Sequence, residues 1–392
     1  MFFTCAPHCT DPSHKHHAAA TKSSNRARVS VPVLPATARA KATGPAKGAG
    51  KMPRIDIHCH YFNPEVGKKA SVLNPVELEV GHIYANQLTR DVNAKQMKDR
   101  SPKLSNIEVR LKDMDRMGID IQAVSPAPFQ YYYFAEPDFG AELARDVNNG
   151  IADIVAKHPD RFMGLGTVPL QNADFAVKEL NRAVKDLGLR GIEINTHVNG
   201  KNLTDPSLNL EKFFARVQEL GVTLFMHPNG FTDAQRLTNH YLNNVIGNPL
   251  ETTIAVSHLI FDGVMERNPK LKVVLAHSGG YLAHYWARMD HAHRARPDLK
   301  TVIKKKPSSY LERFYFDTIT FDADMLRHLI NRFGAEHVLL GTDYPYDMGE
   351  EDPLGLIGSV KKLSRADKDL IQGGNALRLL KVTPVKKPAA KK

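Results

Sequence analysis

The sequence predicts an α/β protein that folds as a (β/α)8 TIM barrel with a basic, disordered segment at each end. Residues 54–343 contain eight short apolar runs, and longer segments compatible with helices separate them. Eight strand–helix units in about 290 residues suit a barrel, which typically takes about 250 residues plus insertions. The doubly wound alternative usually places a glycine-rich phosphate-binding turn after its first strand, whereas here the first run ends in His-Cys-His.

The eight runs are predicted to be parallel strands buried on both faces, because each is nearly continuous in apolar residues. They are Arg54–His60, Asp120–Pro126, Phe162–Pro169, Gly191–His197, Thr223–Pro228, Lys272–His277, Phe314–Thr318 and Val338–Asp343. Between the third and fourth runs, Ala173–Leu187 carries apolar residues at three- and four-residue spacing, which predicts an amphipathic helix. Gly118, Gly188 and Gly221 stand where a helix would end and the chain would turn toward the next strand.

The positive charge of the chain is concentrated at its two ends. Of the net charge of +11, residues 1–51 hold +7 and residues 381–392 hold +5, which leaves −1 for the body. A body that binds nucleic acid should carry a basic surface of its own, so we expect no nucleic-acid partner. We predict a disordered basic extension over 1–51, a barrel over 52–380 and a Lys-rich tail over 381–392. An extension ahead of Met52 is favoured for the first segment, and an organelle-targeting segment is the alternative.

The composition also bears on membranes and on the cellular compartment. No run of about 18 apolar residues is present, so we expect no membrane-spanning segment. The three cysteines, Cys5, Cys9 and Cys59, cannot form a disulfide framework. That pattern is typical of a reducing compartment and predicts a cytoplasmic protein.

Titratable side chains stand at the carboxyl ends of six of the predicted strands. They are His58 and His60, His197, His227, His277, Asp317 and Asp343. The active site of a barrel lies at this end, so we expect these side chains to converge on one pocket. His58 and His60 are two residues apart on one strand and therefore on one face, where two neutral imidazoles can bind the same cation. The sequence thus predicts a metal site, although a lone strand-end histidine is more typical of a hydrogen-bonded core residue.

Motifs spread over residues 52–382 carry a specific resemblance. They are IDIHCH, RFMGLGTVPLQ, AVKELNRAVKDLGLRGIEINTHVN, LFMHP, NPLETTIAVSHLIFDGVMERNPKLKVVLAHSGG, ARMDHAHRARPD, VLLGTDYPY and GGNALRLL. H-x-H alone would be a weak signal, but H-x-H followed in order by AHSGG and GTDYP is a strong one. The chain resembles the amidohydrolase superfamily and, within it, the branch of metal-dependent decarboxylases of the aminocarboxymuconate-semialdehyde decarboxylase type.

The resemblance implies a role for each matching residue at the strand ends. His58, His60, His227 and Asp343 would bind one Zn²⁺ per chain, and a mixed His/Asp site also accepts Mn²⁺. His277 would stand beside the metal-bound water as general acid/base, which makes His277 and Asp343 the catalytic residues.

The resemblance also implies a homodimer. In the resembling enzymes, two arginines after the sixth strand reach the partner subunit's pocket and hold the substrate carboxylate. Arg288 and Arg296 stand at the matching positions. A third substrate-binding arginine, from the insertion after the first strand, has no secure counterpart here, and Arg90, Lys98 and Arg100 are the candidates.

Three further positions bear on the chemistry. The family motif HPW is replaced by His-Pro-Asn, so Asn229 changes the wall of the pocket. Glu193 lies four residues before the end of the fourth run, so we expect it to be a hydrogen-bonded or ion-paired interior residue and expect one metal, not two. Asp317 is expected either to orient a ligand or His277, or to cap the following turn.

The function that these observations indicate is non-oxidative decarboxylation by a metal-dependent carboxy-lyase. The substrate would be a small unsaturated or aromatic carboxylate, such as an aminocarboxymuconate semialdehyde or an ortho-hydroxybenzoate. A metal-dependent hydrolase of a lactone or an amide is the first alternative, since it would use the same ligands to activate water. A catalytically silent binding protein that uses the basic tails is the second, and the complete ligand set argues against it.

Overall fold

The computed structural model of the protein describes residues 52–381, so the predictions made for residues 1–51 and 382–392 lie outside the described residues. Within the described part, eight parallel strands form the main sheet and are hydrogen-bonded in their order along the chain. These strands are Ile55–Tyr61, Ile121–Pro126, Phe162–Gly166, Gly191–Ile194, Thr223–Met226, Lys272–Leu275, Tyr315–Asp317 and Val338–Leu339.

The chain that follows the eighth strand returns to the first strand and closes the barrel. The Ile57 amide donates to the Leu340 carbonyl at 2.9 Å, and the His60 amide donates to the Tyr344 carbonyl at 2.8 Å. The predicted (β/α)8 barrel is therefore confirmed.

Helices follow or connect the strands over the whole described part of the chain. They are α1 Pro64–Ala70, α2 Pro75–Leu78, α3 Val80–Ile83, α4 Gln87–Ser105, α5 Ile107–Met117, α6 Pro137–Lys157, α7 Ala173–Lys185, α8 Glu211–Leu220, α9 Asn248–Phe261, α10 Val264–Arg267, α11 Leu282–Ala295, α12 Pro307–Leu311, α13 Ala323–Phe333, α14 Pro353–Ser359, α15 Arg365–Asp369 and α16 Asn375–Leu379. None of these helices in residues 52–381 combines the length and the hydropathy needed to cross a membrane.

The helix ends follow the local sequence. The predicted amphipathic helix is α7, which begins after Asn172 because the Asn172 side chain accepts hydrogen bonds from the amides of the first turn. Gly118, Gly188 and Gly221 have φ values of 71°, 68° and 60°, in the left-handed region where glycine avoids steric cost. Each of them reverses the chain from a helix toward the next strand, as predicted.

Several strands end earlier than their apolar runs. The run Lys272–His277 forms a strand only over Lys272–Leu275, and the run Val338–Asp343 only over Val338–Leu339. His277 and Asp343 have φ values of 51° and 57°, so the backbone has left the extended conformation that the sheet requires. The residues that end these runs therefore belong to the mouth of the barrel and not to its sheet.

The core has two parts, as expected when helices surround a barrel. The larger hydrophobic cluster packs the outer faces of the strands against the surrounding helices. The smaller cluster joins Ile57, Leu165, Phe225 and Val274, which come from four different strands, to residues of the C-terminal helix α16. The Phe225 ring lies against His58, with centroids 5.0 Å apart, so the apolar interior ends directly at the polar strand ends.

Candidate active site

A cavity of about 680 Å³ opens at the carboxyl ends of the strands. His227, His277 and Asp343 line one side of it, and the insertion between the first and second strands, which carries helices α2 to α4, lines another. The cavity is of the size that holds a small organic ligand. Its position is the one at which barrels place their active sites.

Four buried side chains at this end bring one donor atom each to a common point. They are His58, His60, His227 and Asp343, and their donor atoms all lie within 4.8 Å of one another. The Nε2 atoms of His58 and His60 are 3.1 Å apart. Asp343 Oδ1 lies 3.0 Å from His60 Nε2 and 4.0 Å from His227 Nε2. Three nitrogens and one carboxylate oxygen in this arrangement are a ligand set typical of a divalent transition-metal ion.

The hydrogen bonds behind the first-strand histidines orient both rings toward that point. His58 Nδ1 donates to Asp317 Oδ2 at 2.7 Å, and His60 Nδ1 donates to the Pro126 carbonyl at 3.0 Å. In the neutral rings the lone pair is then on Nε2, so the two lone pairs face each other across 3.1 Å. Such a contact is repulsive unless a proton or a metal ion lies between the two nitrogens. The residues present therefore fit a metal ion.

His227 and the carboxylates lead to the same conclusion. His227 is buried, and among residues 52–381 neither of its ring nitrogens has a hydrogen-bond partner. Burial and the charges of His60, His277 and His58 lower the pKa of His227 well below its usual value, which leaves a neutral ring with a free lone pair. Burial also lowers the pKa of His58, but the charges of Asp343 and Asp317 outweigh it and raise that pKa to about 10. The carboxylates thus favour positive charge among the imidazoles.

Asp343 carries negative charge at this point despite its burial. Burial alone would raise its pKa, but the charge of His58 and hydrogen bonds from His277, His58 and His60 hold the pKa of Asp343 well below its usual value. A buried, ionised carboxylate of this kind is an effective ligand for a cation.

Asp317 connects the seventh strand to both sides of the site. Its Oδ2 accepts a hydrogen bond from His58 Nδ1 and another, at 2.9 Å, from the backbone amide of His277. Its Oδ1 accepts from the amides of Ser278 and Ile319 at 2.8 and 3.1 Å. Asp317 therefore both orients a predicted ligand and caps the following turn, the two alternatives that the sequence left open.

His277 differs from the four clustered residues because its side chain is more exposed than theirs. Its side chain is 18% exposed, and its Nε2 lies 3.4 Å from Asp343 Oδ2. The left-handed backbone at His277 is unusual for a residue other than glycine, and the hydrogen bonds that Asp317 accepts hold it there. The position allows His277 to exchange a proton with a ligand in the cavity.

Two polar residues of the fourth predicted run, His197 and Glu193, do not belong to the cluster. His197, which was expected to converge on the pocket, does not line the cavity, because the fourth strand ends at Ile194 and His197 begins a short hairpin with Asn202. Its Nε2 lies 3.8 Å from Glu251 Oε2 instead. Glu193 accepts a hydrogen bond from the Tyr131 hydroxyl and stands behind His60, with its Oε1 3.8 Å from His60 Nδ1.

The two arginines at the matching positions after the sixth strand lie outside this chain's cavity. Arg288 is exposed on α11, and Arg296, which follows that helix, is exposed and paired with Asp298 at 2.9 Å. Neither lines the cavity of its own chain.

The structure distinguishes the three candidates for the remaining substrate-binding residue. Arg100 lines the cavity and donates from Nε to the Pro345 carbonyl at 3.0 Å, whereas Arg90 and Lys98 do not line it. The cavity-lining residues of α4 are Thr89, Asn93, Gln96, Met97 and Arg100. Their spacing marks one face of a helix, which explains why Arg100 reaches the cavity and Arg90 and Lys98 do not.

Other cavity residues had no signal in the sequence. Glu79 lies between the short helices α2 and α3, and its Oε2 accepts a hydrogen bond from Asn229 Nδ2 at 2.7 Å. Tyr346 follows the GTDYP motif, and its ring lies 5.3 Å from that of His60. Both line the cavity, but neither belongs to a periodic pattern.

Comparison with known proteins agrees with this geometry. A model of the amidohydrolase family matches residues 55–382. The 2-amino-3-carboxymuconate-6-semialdehyde decarboxylase of Dictyostelium discoideum is 36% identical over 337 residues, which cover 85% of this chain and 93% of that protein. The gamma-resorcylate decarboxylase of a Polaromonas species is 30% identical, over 72% of this chain and 90% of that protein.

Solved structures give the same result. The crystal structure of 5-carboxyvanillate decarboxylase from Sphingomonas paucimobilis has a TM-score of 0.76 and 27% identity, and covers 85% of this chain and all of that one. A dihydroxybenzoic acid decarboxylase from Polaromonas, solved with bound manganese and the inhibitor 2-nitroresorcinol, has a TM-score of 0.70 and 25% identity, over 84% and 97% of the two chains. The chain therefore belongs to the amidohydrolase family and, within it, to the metal-dependent decarboxylases.

Proposed function

We propose that this protein is a non-oxidative decarboxylase of a small unsaturated or aromatic carboxylate. An aminocarboxymuconate semialdehyde and an ortho-hydroxybenzoate are the two substrate types that the names of the relatives favour. The observation that carries the proposal is the convergence of four metal-binding side chains within 4.8 Å at the edge of a cavity that His277 also lines.

We further propose that His58, His60, His227 and Asp343 bind one Zn²⁺ per chain, with Mn²⁺ as the alternative. Neutral imidazoles and a carboxylate suit both ions. Bound there, the cation would supply Lewis-acid polarisation and orientation of a substrate oxygen. The position of Glu193 behind His60 supports one ion instead of two, because its carboxylate faces the outer nitrogen of that ring.

His277 would transfer the proton that the reaction needs, and Arg100 would bind the substrate carboxylate. When the bond between the carboxyl carbon and the adjacent carbon breaks, CO₂ leaves and the electron pair stays on that adjacent carbon. His277 Nε2 would donate a proton to this carbon and would later recover one from solvent. Arg100 would hold the substrate carboxylate, because a guanidinium binds a carboxylate through two parallel hydrogen bonds.

We propose that the active form is a homodimer in which the partner subunit's Arg288 and Arg296 complete the cavity. The rim of the cavity supports this arrangement. Val76 and Val245 line the cavity and yet are 59% and 45% exposed. The exposed Ile246 adjoins Val245, and the Ile246 carbonyl accepts a hydrogen bond from Tyr281 beside the start of α11. A partner that covered this apolar rim would bring its own α11 close to the opening.

Mixing two inactive variants tests the dimer. His227→Ala would remove a metal ligand, whereas Arg288→Ala combined with Arg296→Ala would remove the groups that serve the neighbouring cavity. Mixed dimers of the two proteins should then contain one complete site and regain up to about half of the activity per dimer. Activity that stays at the level of the separate variants, although mixed dimers form, would contradict shared sites.

A direct assay tests the reaction. Metal-loaded protein would be incubated with a panel of ortho-hydroxybenzoates, an aminocarboxymuconate semialdehyde, lactones and amides. We expect CO₂ release from a carboxylate, with no ring opening of a lactone or cleavage of an amide. Hydrolysis of a lactone or an amide without release of CO₂ would contradict the proposal and would show that the protein is a metal-dependent hydrolase.

We also propose that residues 52–380 contain the whole catalytic unit, that the basic ends are accessory, and that the protein is cytoplasmic. Deleting residues 1–51 should leave kcat/KM within about twofold. The reason is that the cavity-lining residues belong to the barrel and to the insertion after its first strand. A loss of more than tenfold on deletion would show that the first segment takes part in the site.

A further inference from the structure

Glu79 is a carboxylic acid in the cavity wall that the proposed chemistry does not use. It lies between α2 and α3, and its side chain caps neither helix. Its Oε2 accepts a hydrogen bond from Asn229 Nδ2 at 2.7 Å. Among residues 52–381, no Lys, Arg or His nitrogen lies within ion-pair distance of its carboxylate. The acid is thus fixed in place by an amide and is not neutralised by a cation of its own chain.

Ionisation of the Glu79 carboxyl group costs free energy unless a ligand donates a hydrogen bond to it. Burial raises the pKa of Glu79 to about 7, because the carboxylate has lost water and gained only the Asn229 amide. Most of the surface of the cavity around it is apolar. The Glu79 side chain is partly buried, and its Oε1 has no hydrogen-bond partner among residues 52–381, so this oxygen is free to accept a hydrogen bond from a ligand in the cavity.

Asn229 links this acid to the reaction centre. It is the second residue after His227, at the position where the resembling family carries a bulky aromatic residue in the motif HPW. The smaller side chain leaves room in the cavity and supplies the amide that orients Glu79. Glu79 is therefore tied to the same segment that carries a proposed metal ligand. Glu79 and two of the proposed metal ligands, His227 and Asp343, line the same cavity.

We propose that Glu79, held by Asn229, is a specificity-determining residue that accepts a hydrogen bond from an amino or hydroxyl group of the substrate. The inference rests on the proposed function only in taking this cavity as the substrate site. The substrate class is then a carboxylate that carries a separate hydrogen-bond donor, with the carboxylate toward the metal and Arg100 and the donor toward Glu79. An acceptor fixed in the cavity wall discriminates against an analogue without the donor, because the analogue displaces water from the acceptor without replacing its hydrogen bond.

Binding of matched ligands tests the assignment without requiring turnover. The probes are 2-hydroxybenzoates that carry either an amino or a methyl group at ring position 3, 4, 5 or 6. Dissociation constants would be measured by calorimetry on the metal-loaded full chain. At one position or more, we expect the wild-type protein to bind the amino member at least about tenfold more tightly than the methyl member.

Two variants and a control make the test specific. Glu79→Leu should reduce the amino-to-methyl preference to about twofold or less, because leucine offers no acceptor. Glu79→Gln should retain part of it, since the amide keeps one acceptor oxygen, and this variant serves if leucine impairs folding. The control is Glu77→Gln, an exposed acid two residues earlier that does not line the cavity, and it should keep the wild-type preference.

The outcomes separate this inference from the proposed function. A wild-type protein with no amino preference at any position, or a preference that survives in Glu79→Leu, would overturn the inference even if the enzyme releases CO₂. A preference that depends on Glu79 would support it even if the panel releases no CO₂, in which case only the proposed reaction would fail.

Discussion

Two buried groups of histidines and carboxylates stand at the same end of this barrel, and only one of them has the composition of a metal site. The first is the cluster of His58, His60, His227 and Asp343, with four donor atoms within 4.8 Å of one another. The second is the pair His197 and Glu251, whose nearest atoms are 3.8 Å apart. Both groups contain buried polar atoms that have no hydrogen-bond partner among residues 52–381.

Their electrostatics differ because the number of converging groups differs. In the pair, burial and then Asp233 raise the pKa of Glu251 to about 7, and burial lowers the pKa of His197 to about 4. Burial therefore outweighs the mutual attraction, and near neutral pH both groups tend toward their uncharged forms. In the cluster, several partners outweigh burial and keep Asp343 ionised. A histidine at a strand end is therefore a candidate metal ligand only where other donor atoms converge with it. The residue type alone does not identify a metal site.

The largest expected effect is the difference in metal content and kcat/KM between a variant that loses His227 of the cluster and a variant that loses His197 of the pair. His227→Ala should abolish bound metal and reduce kcat/KM by at least about 10³-fold, because the Lewis acid is lost. His197→Gln should keep the metal and stay within about threefold of wild type, since His197 does not line the cavity. Metal content and kcat/KM of both purified variants check this. A fully active His227→Ala enzyme would remove the basis of the proposal.

The second prediction concerns the pair and its dependence on pH. The pKa of Glu251 in the folded protein, about 7, is above its ordinary value of 4.5, so ionisation destabilises the native state as pH rises from about 4.5 to 7. Glu251→Gln has no such ionisation. Its free energy of unfolding relative to wild type should therefore increase by about 3 kcal/mol between pH 4.5 and pH 8.

Denaturant unfolding at the two pH values measures this difference, with Glu351→Gln, a change at an exposed acid, as the control. The control should differ from wild type by the same amount at both pH values. If Glu251→Gln also behaves in this way, Glu251 is ionised in the native protein and the contrast between the two groups is wrong.

A smaller effect is expected for the residue that supports the cluster. Asp317→Asn should weaken metal binding by about 10- to 100-fold, because the Asp317 carboxylate orients His58 and makes it a better ligand. Asp322→Asn is the control, since that carboxylate accepts two backbone hydrogen bonds, against three for Asp317, and has no hydrogen bond to a histidine. Competition with a chelator gives the metal affinity. Equal affinities in the two variants would show that Asp317 acts only as a cap.

The sequence predicted the strands well because burial on both faces leaves a continuous apolar run. The third, fourth, fifth, sixth and eighth strands begin at the predicted residues, as Phe162 and Gly191 illustrate. The last six strands end earlier than predicted, because an apolar run indicates burial and not hydrogen bonding to a neighbouring strand. At Asp343 the chain stays buried, and at His277 it stays partly buried, while the backbone at both residues has turned into the left-handed region.

The candidate site was predictable only where a strand fixes the direction of the side chain. The four clustered residues lie at or near the carboxyl ends of apolar runs, so their convergence could be expected from the barrel alone. Helix α4 is polar along its length, so no apolar face in the sequence indicates which of its residues turns toward the cavity. Arg100 was therefore one of three candidates, and Glu79, on a short connection without periodicity, was not predicted.

The most direct test is the anomalous diffraction of crystals grown from metal-loaded protein, recorded at the absorption edge of the bound metal. We expect one peak per chain, about 2.0–2.2 Å from donor atoms of His58, His60, His227 and Asp343. A peak on other residues, a second peak beside Glu193, or no peak at the four clustered side chains would contradict the account.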